Sequence, residues 1–181
     1  MEKWSTDIIE WNKLSESAAQ LYITLAENRL DETVETAKNI TDRNDKLLAL
    51  NITIITAILG YLTSKGLEKI LNSYLSISLF AMMLILILSL VYLVKNLFLY
   101  KIGTKGEEPR FILNTRFVDD YPDNEQYLNL ALQVCETYQN KITSNITINN
   151  RRNRRLSWAI YIMLSLPLSF LISFAYWYLV R

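Results

Sequence analysis

The chain has 181 residues, 51% of them hydrophobic, and its 19 basic and 18 acidic side chains leave a net charge of +1. Four glycines and three prolines favour helix over turns, and so small a net charge gives no polyelectrolyte attraction to nucleic acid. With no histidine and one cysteine, Cys135, an internal disulfide, the common His/Cys metal sites and any Ser-His or Cys-His pair are excluded.

No catalytic residue, cofactor or metal ligand is therefore assigned, and the chain is not expected to be an enzyme. Residues 1–46 carry ten acidic and six basic side chains with no early apolar stretch, so nothing reads as a signal peptide. Trp4, Ile8, Trp11, Ser15, Ala18, Tyr22 and Leu25 recur at alternating steps of four and three. That spacing predicts a helical seam, widened by Leu14 and Leu21. Its polar face is more acidic than basic, which favours a protein partner over an anionic lipid surface. A second helical stretch, Leu30 to Lys46, leads into the first apolar run.

Three runs approach the length of a bilayer core, about 20 residues for roughly 30 Å. They are Leu47–Thr63, Tyr74–Val94 and Trp158–Val180. Within the first, Thr53, Thr56, Gly60 and Thr63 form one small, mildly polar stripe, read as helix packing or as pore lining. Asn51 lies one turn inside the same run and is costly to expose to lipid, so it should face protein or water. The second run has no charged residue.

Between the second and third runs, Gly103, Gly106, Pro109 and Pro122 interrupt helical periodicity. A short strand or docked loop is expected at Arg110-Phe-Ile-Leu. Arg110 and Arg116, with Phe111 and Phe117 beside them, read as exposed loop arginines with flanking core aromatics or, if a nucleotide binds, as the cations for its phosphate and the rings that stack its base. Glu107-Glu108 and Asp119-Asp120 read as solvated loop charges. Helix resumes at Asp123 with Tyr127, Ala131, Val134, Tyr138 and Ile142 as its seam, and Cys135 reads as a small packed hydrophobe. Thr143–Asn150 is poor helix material and is where a bend is expected.

The basic residues Arg151, Arg152, Arg154 and Arg155 then form a junction facing anionic headgroups. In the third run Ser165, Ser169 and Ser173 fall four apart beside Pro167, a second small-residue row for helix packing or a polar path. Sixteen of the 19 Lys and Arg lie in 1–46 and 95–157. The positive-inside rule therefore places those segments in the cytoplasm, with the C-terminus outside. The expected fold is an all-α membrane protein with three transmembrane helices. Its parts are a cytoplasmic N-terminal helical segment (1–46), a two-span hairpin (47–94), a mostly helical cytoplasmic insertion (95–157) and a third span (158–181).

The run Thr41-Asp-Arg-Asn-Asp-Lys-Leu-Leu-Ala-Leu-Asn51 resembles the approach to the first span in transmembrane effectors of bacterial Pycsar antiphage systems. The order of parts is similar, and so are Tyr138–Asn145 and the basic junction Arg151–Arg155. The match departs at two positions: Thr41 stands where the family has an acid, and Arg43 where it has a lysine. The resemblance implies an abortive-infection effector that oligomerises and permeabilises the inner membrane on a nucleotide second messenger or a partner's signal. Expected partners are the lipid bilayer, further copies of the chain, and a cyclic nucleotide or a cytosolic defence protein. Two other readings stay open at this point: a membrane adaptor that recruits a cytosolic defence enzyme, or a small channel-like or immunity-type protein outside signalling.

Overall fold

The computed structural model describes residues 14–65, 74–98, 100–106 and 123–180. Its elements are three helices, α1 (Glu16–Lys65), α2 (Tyr74–Leu97) and α3 (Asp123–Val180), and the described residues contain no strand. Two of them, α1 and α2, hold segments long and apolar enough to cross a membrane.

Ser15 starts α1 as an N-cap. Its Oγ accepts a hydrogen bond from the Ala18 amide at 3.2 Å, and Glu16 places a negative charge in the first turn. No glycine or proline interrupts the chain until Gly60, so the leading helix and the first apolar run form one 50-residue element. Burial then repeats at sevens. Leu30, Ala37, Asn44, Asn51 and Ile58 are buried on α1, and Ala131, Tyr138, Asn145, Arg152, Ala159 and Leu166 on α3. A strict seven-residue repeat keeps one narrow stripe of each helix toward its neighbours.

A bend is expected at Thr143–Asn150; the helix is not interrupted there, and α3 is continuous from Asp123 to Val180. Thr143 and Thr147 donate their hydroxyls to carbonyls four residues back. Asn145 and Asn149 spend their amides on other segments, so they do not compete with the helix backbone. The proline at 167 is also accommodated inside α3.

The chain divides into two compact units, to which α1 and α3 both contribute. Unit 1 comprises Met1–Ala37 and Tyr100–Asn149. Tyr127 donates to Gln20, Tyr138 to Glu27 and Asn145 to Thr33, so the two helices run parallel there. Leu30, Tyr138 and Ile142 form the core, with Ile23, Ala26 and Val134 against it. The seam expected through Ala18, Tyr22 and Leu25 is turned away: Leu21, Tyr22 and Leu25 are each more than half exposed. Trp4, Ile8 and Trp11 lie outside the described residues.

Unit 2 comprises Lys38–Leu99 and Asn150–Arg181. Asn96 donates to the Arg152 carbonyl and Ser89 to that of Ala159, so α2 runs antiparallel to α3. Two apolar clusters stack along this unit. One holds Leu93, Leu156 and Ala159 with Leu47 and Leu48; the other holds Ile58, Leu62, Leu86 and Leu166 with Ile54 and Ile55.

Candidate functional site

Unit 2 combines a leucine-rich surface with polar groups set among its buried apolar clusters. Leu84, Leu88, Leu164, Leu168, Leu171 and Phe174 are all more than half exposed on its surface. Its interior holds Asn44, Asn51, Ser76, Ser89 and Asn96, each at 2% exposure or less. Water drives apolar groups inward and leaves amides outside; in a hydrocarbon solvent that drive is absent, and an amide facing lipid has no hydrogen-bond partner, so leucines can stay outside while amides turn inward.

The inner polar groups divide into satisfied and orphaned ones. Ser89 Oγ donates to the Ala159 carbonyl at 3.2 Å, and Asn96 Nδ2 to that of Arg152 at 3.0 Å. Neither amide atom of Asn44 or Asn51 has a hydrogen-bond partner among the described residues, and the same holds for Asn96 Oδ1. Each such atom costs about 1–3 kcal/mol where nothing compensates it. A polar residue at a buried heptad position is more often a register device than a stabiliser.

The basic junction splits into two kinds of residue. Arg151 and Arg154 are exposed, as a headgroup-facing cluster requires. Arg152 is buried and donates Nη2 to Thr41 Oγ1 at 2.8 Å, while Arg155 donates Nη1 to the Lys95 carbonyl at 3.0 Å. Half of the cluster therefore ties helices together inside unit 2. Only its seven-residue spacing from Asn145 and Ala159 distinguishes Arg152 in the sequence.

Among the other sequence-derived site residues, Thr53, Thr56, Gly60 and Thr63 are exposed on α1. The three threonines return their hydroxyls to carbonyls of their own helix, and a Cβ built on Gly60 meets nothing within 4 Å. Asn51, by contrast, faces the interior at 0% exposure. Ser165 is exposed and Ser169 half-buried, each also bonded to its own helix. The Ser173 side chain, Arg110, Phe111, Arg116 and Phe117 lie outside the described residues.

In unit 1 the polar chemistry fastens a segment. Asn145 is fully buried; its Oδ1 accepts from the Gly103 amide at 2.8 Å, and its Nδ2 donates to the Gly103 carbonyl and to Thr33 Oγ1, both at 2.9 Å. One carboxamide thus pairs with both backbone groups of a single glycine, as a strand neighbour does. Lys141 Nζ donates to the Thr104 and Gly106 carbonyls, and Lys105 forms an ion pair with Asp31. Gly106 has φ +78°, the left-handed conformation that only glycine adopts cheaply.

A Cβ at position 103 would lie 2.9 Å from Cβ and Cγ of Lys141. Gly103→Ala is therefore expected to push the 100–106 segment off α3 and to cost about 1–3 kcal/mol of unit 1 stability. Limited proteolysis within that segment reads the change; wild-type resistance in the variant contradicts it.

Burial, and then the hydrogen bond to Glu27, hold the Tyr138 phenol above the usual tyrosine range. The Asp31 contact likewise raises the Lys105 ammonium. Both folded values lie above the unfolded ones, so both contributions are complete below about pH 10 and vanish as pH climbs through the folded values. Thermal unfolding should show the melting temperature falling above about pH 10, with a shallower fall in Tyr138→Phe. Burial also raises the half-buried Cys135 thiol, keeping it protonated and unreactive at neutral pH.

Among the described residues, no three His, Cys, Asp or Glu side chains are grouped to hold a metal ion. No protein-family model, curated protein or solved structure matches the chain.

Proposed function

We propose that this chain is a three-span protein of the bacterial inner membrane that self-assembles and permeabilises that membrane as the effector of an antiphage, abortive-infection response. The exposed leucines of unit 2 carry the membrane part of the reading, together with the asparagines turned into its interior. Trp158–Val180 of α3 is the third span. Trp158 and Tyr161 are exposed in an edge-to-face pair beside the arginine junction, and Tyr176-Trp-Tyr178 stands near the far end of the run. Aromatic residues at both ends of an apolar run suit two membrane interfaces. With the basic residues concentrated in 1–46 and 95–157, those segments are cytoplasmic and the C-terminus is outside.

The effector role rests on the resemblance around Thr41–Asn51. The trigger is a nucleotide second messenger or a partner's signal. Arg110 and Arg116, with Phe111 and Phe117, are the phosphate and base contacts in the messenger version.

A second reading has its own support. Leu21, Tyr22 and Leu25 leave an apolar patch on α1 in unit 1, the kind of surface a membrane adaptor offers a cytosolic enzyme. Expression in a bacterial host with a potential-sensitive dye separates the two. Depolarisation after triggering is the effector's signature; an intact potential with an enzyme co-purifying through the Leu21 patch is the adaptor's.

A further inference from the structure

Asn44 and Asn51 stand two turns apart on one face of α1, about 10 Å along the axis, too far for their amides to pair with each other. Both are essentially without solvent exposure. Along the helix Asn51 lies between two apolar clusters: Leu47 and Leu48 precede it in one, and Ile54, Ile55 and Ile58 follow it in the other. No described group accepts from its Nδ2 or donates to its Oδ1, and Asn44 is in the same position. Asn96, on α2, has an orphaned Oδ1 while its Nδ2 is used.

We propose that Asn44 and Asn51 each hold an internal water molecule, making the interior of unit 2 a bundle with built-in hydration sites. The chemistry of the donor set selects the ligand. A carboxamide presents N–H donors and a carbonyl acceptor side by side, so its occupant must both accept and donate. A metal cation would meet a single neutral oxygen at each site, with the amide's own N–H groups beside it, where several oxygens are needed. Apolar side chains precede and follow Asn51 along α1, so they offer no second polar anchor to a larger amphoteric molecule. Water satisfies both atoms and is the usual partner of buried polar groups that protein atoms leave unpaired. The sites are bound hydration and not a continuous file, because the Leu93, Leu156 and Ala159 cluster stands beside the stretch of α1 between the two asparagines. The inference needs only the packing of unit 2, so it stands or falls separately from the effector reading.

The test is water-to-amide cross-relaxation by NMR on the full chain, labelled with nitrogen-15 at asparagine, in lipid nanodiscs. Asn145 is the internal control, since Thr33 and Gly103 satisfy its amide. The expected result is a cross-peak at the water frequency on the side-chain NH2 of Asn44 and Asn51, and none on Asn145. Asn51→Leu should remove the Asn51 signal and leave that of Asn44. Asn51→Ser, which is smaller and keeps a hydroxyl, assigns the same peak if the leucine variant does not fold. Asn44 and Asn51 side chains that cross-relax only with methyl protons would overturn the proposal.

Discussion

Asn145→Leu is expected to lower the stability of unit 1 by about 2–4 kcal/mol, since burying an unsatisfied group costs about 1–3 kcal/mol and this change strands more than one. Leucine shares asparagine's branching at Cγ but is larger, so no cavity is opened and the loss comes from hydrogen bonding together with crowding at a fully buried position. Three partners are stranded: the Gly103 amide, the Gly103 carbonyl and the Thr33 hydroxyl. Thr33 has an alternative, because its hydroxyl already donates to the Leu30 carbonyl at 2.7 Å. Gly103 can recover its bonds only by swinging toward water, which also disturbs the Lys141 contacts with Thr104 and Gly106. Hydrogen exchange at the Gly103 amide is the direct readout, alongside denaturant unfolding. Its protection should collapse in Asn145→Leu; full protection would mean that the lysine contacts alone hold the segment.

That site shows where sequence reasoning ends. Tyr138 and Ile142 announce themselves as core by apolar spacing, and they are core. Asn145 and Asn149 follow on the same stripe, yet their type argues for a break, because asparagine competes for its own backbone when nothing else engages it. What engages them is Gly103 and Thr33, far away in sequence, and no local pattern encodes such partners. The phase of the α1 seam was hidden for a related reason. Apolar residues cover most of the helix circumference between Ala18 and Ala26, so periodicity supports more than one face. The choice of Ile23, Ala26 and Leu30 comes with the packing against Tyr138 and the bond from Tyr127 to Gln20. In unit 2, the cost of an amide in lipid was enough to turn Asn51 inward. Asn44 stands among Asp42, Arg43, Asp45 and Lys46, where an asparagine looks solvated, and only the seven-residue repeat distinguishes it. Arg152 was masked in the same way by its three basic neighbours.

Thr56→Leu combined with Gly60→Leu is expected to weaken self-association in a bilayer by at least about tenfold, a change of about 1.4 kcal/mol, and to abolish depolarisation. Thr53, Thr56, Gly60 and Thr63 lie on the exposed side of α1. The threonine hydroxyls already bond their own helix, so the stripe is a low, flush surface with no polar demand on the lipid. Open space in front of Gly60 lets another backbone approach closely. Leucine at both positions fills that approach without touching the interior, so unfolding of the single chain should change by no more than about 0.5 kcal/mol. Thr56→Ser keeps the hydroxyl and a small side chain and should retain assembly. Energy transfer between differently labelled copies, measured with dye release from the same vesicles, separates the possibilities. Loss of transfer and release together makes the stripe the contact between copies. Release lost with transfer intact makes it the wall of the conducting path, and both retained would place the contact on another face, with the Ser165 and Ser169 side of α3 next in line.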